Sequence, residues 1–466
     1  NDNDMSIAPA VGAMNKYLTS MITNPAYNKV RGLVKEVLHR TPGGYGDVME
    51  ELAGRLDESV KHLLTPGLIF EELGFRYVGP VDGHDVGALA DTLSRVRKMK
   101  GPILVHALTQ KGKGFSKAEN DPYTWHASGP FDKTTGSGIK KPGGLPRYQK
   151  AFGKGLVQLA EMDPLIVAIT AAMPDGTSTD MFDEAFPDRF FDVGIAEGHG
   201  VTFAAGLATQ GVKPVVAIYS TFLQRAYDNI VHDVALQDLP VVFCMDRAGV
   251  AGEDGPTHHG ALDIAYMLAV QGMTVTAPKD GAEMLALVRL ATEKHDGPWC
   301  VRWPRDAVPS DVPHLNEIAP VEPYTWEVLR KGSDCAILAV GSMVLPALEA
   351  AEVLDAEGVK CTVVNCRFLK PYDRSVFNEV MRNHPTVLTI EEGQVVNGFG
   401  AFMAKELNEL KLETAPQMSA MGLPDSFIEH GARNNLLADI GLDVEGMVIR
   451  IRMLVGVKSA SLMETA

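Results

Sequence analysis

The residues with chemical capacity gather in one stretch. Between Phe190 and His258 the chain sets Glu197, Tyr219, Arg225, Arg247, Asp254 and His258 at or just past the ends of three short apolar runs, FFDVGI, KPVVAIYS and LPVVFCMD. Each run leads into a polar, glycine-bearing turn or a helix. If the runs are strands of an open parallel sheet, those turns lie side by side at its carboxyl edge, where ligands bind. Clustering of this kind points to an enzyme.

The residue types suggest two tasks. Glu197 ends an apolar, glycine-lined approach, GIAEGHG, and a carboxyl there can have its pKa raised by desolvation and serve as a proton donor or hydrogen-bond partner. Its plainer reading is a first-turn acid that complements the helix dipole. Tyr219, Arg247 and, further along, Arg305 fall at or beside strand ends, so they could converge on one anion. An arginine's planar fork suits phosphate, and ordinary salt bridges between elements are the equal alternative. Phe222 and Arg225 would lie on successive turns of the helix opening after Tyr219, aimed at the same cleft, although Phe222 could equally be core.

Two histidine contexts remain. In EDGPTHHG the adjacent His258 and His259 point opposite ways if the segment is extended. That argues against a shared metal and for one histidine, His258, facing the cleft with Asp254. His126 sits in a long polar loop, KGKGFSKAENDPYTWHASGPFD. Loops of that length are often functional, but a lone loop histidine is more often a solvent-exposed or capping residue.

Strand–helix alternation supplies the scaffold these residues need. FRYVGPV reads as a strand, DGHD as a turn, VGALADTLSRVRKM as a helix and PILVHALTQ as a second strand. A basic, polar helical stretch over 9–65, broken by TPGGYG, precedes them. TTGSGIKKPGGLP (134–146) is a linker candidate. Beyond it come helix 147–161, strand LIVAIT, the stretch described above, helix AEMLALVRLATEKH and strand PWCVRWPR. DAVPSDVPHLNEIAPVEP is the second linker. The alternation then restarts with strands CAILAVGS, KCTVVNCRFL and TVLTIEE between helices, and a helical tail from Asn434. This last part shows few clustered ionisable groups at strand ends and reads as structural or oligomerising. The expectation is an α/β protein of mostly parallel sheets, with domains at 1–140, 147–305 and 324–466.

Composition narrows the class. A chain of 466 residues is too long for one core, and its 45% apolar content, 45 glycines and 22% charged residues are ordinary for an α/β protein. A net charge of −16 argues against nucleic acid or an anionic membrane as partner. Cys244, Cys300, Cys335, Cys361 and Cys366 are scattered, odd in number and mostly inside apolar runs, which favours reduced thiols in a cytoplasmic protein over disulfides. No apolar run reaches the roughly 18 residues needed to span a bilayer. The opening NDNDMSIAP reads as the exit of a buried strand, so part of the first domain is expected upstream.

Taken in order, DVGIAEGHGVTFAAGLA, AIYSTFLQRAYDNIVHDVA, DRAGVAGEDGPTHHGALD and RWPR resemble the 1-deoxy-D-xylulose-5-phosphate synthase family, thiamine-diphosphate enzymes of the transketolase type. NDNDMSIAPAVGAMN, RYVGPVDGHD, TQKGKGFSKAENDP and GLPDSFIEHG extend the likeness to nearly the whole chain. The resemblance implies three doubly wound, mostly parallel-sheet domains. It also implies condensation of pyruvate with glyceraldehyde 3-phosphate, with loss of carbon dioxide, in a homodimer. Glu197 then corresponds to the acid that hydrogen-bonds the aminopyrimidine ring of the cofactor and promotes ylide formation, Phe222 packs on that ring, and Phe115 joins them as a cofactor-binding position. Tyr219, Arg247 and Arg305 match positions that hold the substrate phosphate. Arg225, Asp254 and His258 match the substrate pocket, and His126 an active-site loop histidine. Asn3 and the backbone carbonyl of Met5 match the second half of the GDG…N motif that holds Mg²⁺ against the diphosphate, a fit to magnesium's preference for oxygen ligands.

The chain departs from the family pattern in three places. The GDG half lies before residue 1, so the polypeptide alone is expected to hold thiamine diphosphate poorly and to be inactive by itself. The usual AEQHA reads AEGHG, and the glycine after the RYPR motif is Asp306. Two other readings stand beside the synthase. One is another transketolase-like enzyme such as the β-type subunit of a 2-oxo acid dehydrogenase, and the other is a non-catalytic chain that acts only by pairing with other subunits.

Overall fold

The computed structural model describes Asn1 and residues 68–126, 128–138 and 144–456. The readings placed on residues 2–67, including the helical stretch and the Asn3 and Met5 positions, lie outside the described residues. Two compact units divide the chain, residues 1–140 and 141–466.

In the first unit, strand β1 (Arg76–Asp82) pairs in parallel with β2 (Ile103–Leu108). Helix Val86–Val96 connects them, started by Asp85, whose carboxylate accepts from the Ala88 amide, as N-cap acids do. The strand–turn–helix–strand order is the one the sequence implies. The long polar loop that follows is more ordered than its composition suggests. It folds helices Ser116–Asn120 and Pro122–Trp125 around an aromatic group in which Trp125 stands edge-on to Phe115 (4.9 Å) and Phe131 (4.5 Å).

The second unit contains two sheets. Its strands are β3 (Ile166–Thr170), β4 (Phe190–Asp192), β5 (Lys213–Tyr219), β6 (Val242–Asp246), β7 (Thr274–Thr276), β8 (Trp299–Arg302), β9 (Glu327–Arg330), β10 (Cys335–Ala339), β11 (Cys361–Asn365), β12 (Phe368–Lys370), β13 (Thr386–Gln394) and β14 (Gln417–Leu423). The larger sheet runs β12-β7-β8-β6-β5-β3-β4 and the smaller β14-β13-β10-β11-β9. All pairings are parallel except β12 with β7 and β9 with β11. The central strands are buried along their whole length, which is why they read as unbroken apolar runs rather than alternating ones. The expected α/β class with mostly parallel sheets is the class observed.

One strand departs from the expectation. KCTVVNCRFL reads as a single element, yet it divides between the sheets: β11 ends at Asn365, and β12 crosses to pair antiparallel with β7. Asn365 is fully buried and donates to both carboxylate oxygens of Glu283 (2.9 and 3.1 Å), while Phe368 packs edge-on to Trp299 and Tyr324. A uniformly apolar run carries no signal for a change of sheet. The short strands β7 and β9 and the strand β14 are likewise absent from the sequence reading.

All five cysteines are unpaired and buried. Among the described residues no helix is long and apolar enough to cross a membrane.

Candidate active site

Glu197 opens helix Glu197–Ala208 just past β4, and only 3% of it is exposed. Its Oε1 is ion-paired with Arg225 Nη1. Arg225 itself is more than half exposed, and its guanidinium carbon lies 5.0 Å from the centre of the Phe222 ring. Phe222 stacks beside Tyr219 at 5.5 Å and meets His258 edge-on at 5.2 Å. Beyond Tyr219 the expected helix is irregular: a short α turn (Ser220–Leu223) gives way to 3₁₀, α and π turns. Phe222 and Arg225, three residues apart, still share a face, as the helical spacing implies.

Arg247 follows β6 with a left-handed backbone (φ 60°). Its guanidinium carbon sits 3.6 Å from the Tyr219 ring centre, and Nη1 donates to Asp246 Oδ1 and to the Gly176 carbonyl, both at 3.0 Å. Asp246 has no exposed surface. Burial pushes its carboxyl up, the Arg247 charge opposes that, and Trp303 Nε1 donates to its other oxygen at 3.0 Å. Burial also raises the Tyr219 phenol to about 12 against the pull of Arg247. Gly176 comes close to Tyr219: a Cβ there would lie 1.8 Å from the Tyr219 hydroxyl, which would have to move. Among the described residues Arg247 Nε is buried without a hydrogen-bond partner, so a strong donor remains to be used.

Arg305 lies just past β8 and pairs with Asp254 Oδ2 at 2.6 Å, while its Nη1 donates to the Ala251 carbonyl at 3.1 Å. Strands β8, β6 and β5 are neighbours in the sheet, so Arg305, Arg247 and Tyr219 come off adjacent carboxyl ends, and each of the two arginines is already tied to an aspartate. His258 takes its Nδ1 to the Thr257 hydroxyl at 2.8 Å, and burial holds its pKa below the usual histidine range. His259 turns the other way: it is buried, with Nδ1 accepting from the Ala251 amide at 2.9 Å. The opposed directions read from EDGPTHHG are those observed.

Phe115 and His126 belong to the first unit. Phe115 contributes to the aromatic group there, and His126 ends helix Pro122–Trp125. Its imidazole pKa is lowered by partial burial and by the Lys111 charge.

The sequence reading missed a charged cluster at the end of β13. Glu391 and Glu392 are both buried, although TVLTIEE looks like a strand running out into solvated acids. Glu391 accepts from the Phe399 and Gly400 amides (2.9 and 2.8 Å) at the start of helix Phe399–Glu409. Glu392 binds Arg433 and the Val250 amide. The paired acids were the visible signal. Their burial depends on residues far along the chain, so the segment 324–466 is not poor in strand-end ionisable groups.

A thiamine-type cofactor can be tested against these residues. A buried carboxylate at a helix start, an adjoining half-buried aromatic face and the 58% exposed Ile195 just before it suit a flat, hydrogen-bonding heterocycle. For a metal, no group of His, Cys, Asp or Glu among the described residues is arranged to hold one.

Comparison with known proteins gives the family. Residues 146–310 match the transketolase pyrimidine-binding domain, 1–109 the 1-deoxy-D-xylulose-5-phosphate synthase model and 325–447 the transketolase C-terminal domain. The chain is 45% identical to the 1-deoxy-D-xylulose-5-phosphate synthase of Chlorobium phaeovibrioides, over 97% of its own length and 71% of that protein. It is 47% identical to the synthase of Magnetococcus marinus, over 98% and 72%. A solved structure described as a split gene transketolase, inactive β4 tetramer, is 34% identical with a TM-score of 0.60, covering 68% of this chain and all of that one. The α/β fold is of transketolase type, and such a family implies dependence on thiamine diphosphate. With this identity and coverage, the chain belongs to the 1-deoxy-D-xylulose-5-phosphate synthase family.

Proposed function

We propose that the chain carries the family's activity as a transferase, condensing pyruvate with D-glyceraldehyde 3-phosphate to 1-deoxy-D-xylulose 5-phosphate and carbon dioxide, a precursor step for isoprenoids and thiamine. The observation that carries this reading is the buried Glu197 carboxylate beside the Phe222 ring, with Arg247 and Arg305 at neighbouring strand ends. Bound thiamine diphosphate supplies the electron sink that allows carbon dioxide to leave and the remaining two-carbon unit to add to the aldehyde.

The protein's part is positioning and charge. Glu197 holds a hydrogen bond to the cofactor's aminopyrimidine ring, and Phe222 offers that ring its face. Arg247, with one unused buried donor, and Arg305, with five N–H groups of which few are engaged, grip the substrate phosphate alongside Tyr219. Asp254 and His258 face the substrate's polar groups, and His258 Nδ1 is held by the Thr257 hydroxyl. His126, whose pKa is lowered by partial burial and the Lys111 charge, and Phe115 are the proposed loop contribution. Residues 147–305 form the pyrimidine-binding domain, 324–466 the C-terminal domain, and 1–140 part of the diphosphate-binding domain. Asn3 and the Met5 carbonyl are the proposed Mg²⁺ ligands.

A homodimer in the cytoplasm is the proposed setting. Exposed Tyr227 and Leu262 line one shallow groove with Tyr266 and Ala269, an apolar face that suits a second copy. The test of function is direct: with a complete diphosphate-binding domain, the protein given pyruvate, glyceraldehyde 3-phosphate, thiamine diphosphate and Mg²⁺ should yield carbon dioxide and the five-carbon product in equal amounts. Carbon dioxide release without the carboligated product would reject the reading.

A further inference from the structure

The loop carrying Asp254 and His258 is fastened from the smaller sheet. Gly249 and Gly260 exchange two backbone hydrogen bonds at 2.8 Å and close it into a ring. Glu392, near the end of β13, reaches this ring and accepts from the Val250 amide at 2.8 Å. The approach is so close that a Cβ on Gly249 would meet the Glu392 carboxyl carbon at 2.4 Å. The next residue, Ala251, presents the carbonyl that holds Arg305. Glu392 is 1% exposed, and a carboxylate buried so deeply needs a counter-charge and a full set of donors.

Arg433 provides the counter-charge. One nitrogen, Nη2, pairs with Glu392 Oε2, which also accepts from the Ser342 hydroxyl at 2.6 Å, and Nη1 pairs with Asp306 Oδ2 at 2.7 Å. Asp306 directly follows Arg305, so Arg433 ties the end of strand β8 and the ring 249–260 to one point. The same C-terminal segment touches the ring again. The Gly431 amide reaches the Gly252 carbonyl at 3.4 Å, and His259 Nε2 lies 3.3 Å from the Glu429 carbonyl. Asp306 is therefore engaged with Arg433.

We propose that Arg433 and Glu392 are positioning residues for anion binding: they fix the backbone of Val250 and Ala251, and so set the orientation of Arg305 and Asp254 toward the phosphate of the aldehyde substrate. This rests on the reading that Arg305 binds that phosphate. Without Arg433, Glu392 is left as an unpaired buried acid, the ring loses its anchor and Arg305 loses a fixed acceptor. The pyruvate and cofactor side, built on Glu197 and Phe222, meets this ring at the edge of His258, 5.2 Å from Phe222, and among the described residues shares no hydrogen bond with Glu392 or Arg433.

The test is Arg433→Gln in the full chain, read by amide exchange and by kinetics. Exchange at Val250 and Ala251 should speed up, and the KM for glyceraldehyde 3-phosphate should rise on the order of tenfold or more, as misplacement of a binding group does. The KM for pyruvate should change less than about twofold, because its groups are not displaced. Arg433→Lys, which preserves the charge but can bridge only one of the two acids, should lie between. It serves as the working variant if Arg433→Gln does not fold. Unchanged amide exchange, or an equal rise in both KM values, overturns the proposal. Arg305→Ala separates the two layers. If it leaves the KM for glyceraldehyde 3-phosphate unchanged, the phosphate assignment fails. If it raises that KM while the Arg433 variants do not, only the positioning role fails.

Discussion

Arg247 sits over Tyr219, guanidinium carbon 3.6 Å from the ring centre, and is held there by the buried carboxylate of Asp246. This arrangement gives the arginine two roles at once. It neutralises an acid with no access to water, and among the described residues its Nε keeps a donor unspent.

Removing Arg247 should therefore cost stability as well as binding. Arg247→Ala is expected to destabilise the second unit by about 3–5 kcal/mol, because it leaves Asp246 buried and unpaired. It should also raise the KM for glyceraldehyde 3-phosphate far more than that for pyruvate. Urea unfolding and steady-state kinetics check the two parts. An equal effect on both substrates would make the arginine purely structural.

Glu197 presents the opposite balance. Its partner Arg225 is more than half exposed and can return to water when the acid is removed. Glu197→Ala should consequently cost less stability than Arg247→Ala, because it leaves no buried charge unpaired, while abolishing carbon dioxide release from pyruvate. Near-normal turnover in that variant would remove Glu197 from the mechanism.

Gly176 is a test of geometry alone. A methyl group there would displace the Tyr219 hydroxyl and tilt the ring on which Arg247 rests. Gly176→Ala should raise the KM for glyceraldehyde 3-phosphate in the same direction as Arg247→Ala, with Asp246 still paired. A variant kinetically identical to the parent would show that Tyr219 is free to move without consequence.

Glu391 predicts a pH dependence of stability. Burial raises its carboxyl from 4.5 to about 7, opposed by the Gly400 and Phe399 amides. The folded state thus holds a proton that the unfolded state releases, so the contribution is present in full below pH 4.5 and is lost as pH rises through about 7. Its size is on the order of 3 kcal/mol. Chemical denaturation from pH 4.5 to 8 should show this slope, and Glu391→Gln should flatten it. A slope that persists unchanged in the variant assigns the effect to another group.

The apolar groove bearing Tyr227 and Leu262 predicts self-association. Leu262→Glu places a charge on that face and should shift the sedimenting species from dimer toward monomer at micromolar concentration. An unchanged dimer would move the interface elsewhere.

The primary structure determined the class of fold and the chemical inventory. Parallel strands buried on both faces must be written as unbroken apolar runs, so β3, β5, β6 and β8 were legible as strands, and the charged residues just past them as a sheet edge. The left-handed backbone at Arg247 and the close approach at Gly176 were not, since neither a residue type nor a spacing reports which groups touch. Least legible were the contacts made between distant segments. VVNCRFL does not reveal that Phe368 leaves one sheet for the other, and TIEE does not reveal that both acids are buried. Glu392 becomes an anchor for Val250 only because Arg433, Ser342 and Asp306 arrive from three other parts of the chain. Local sequence fixes what a segment can form by itself. A buried charge is stabilised by partners that are remote in sequence, and only folding decides which partners those are.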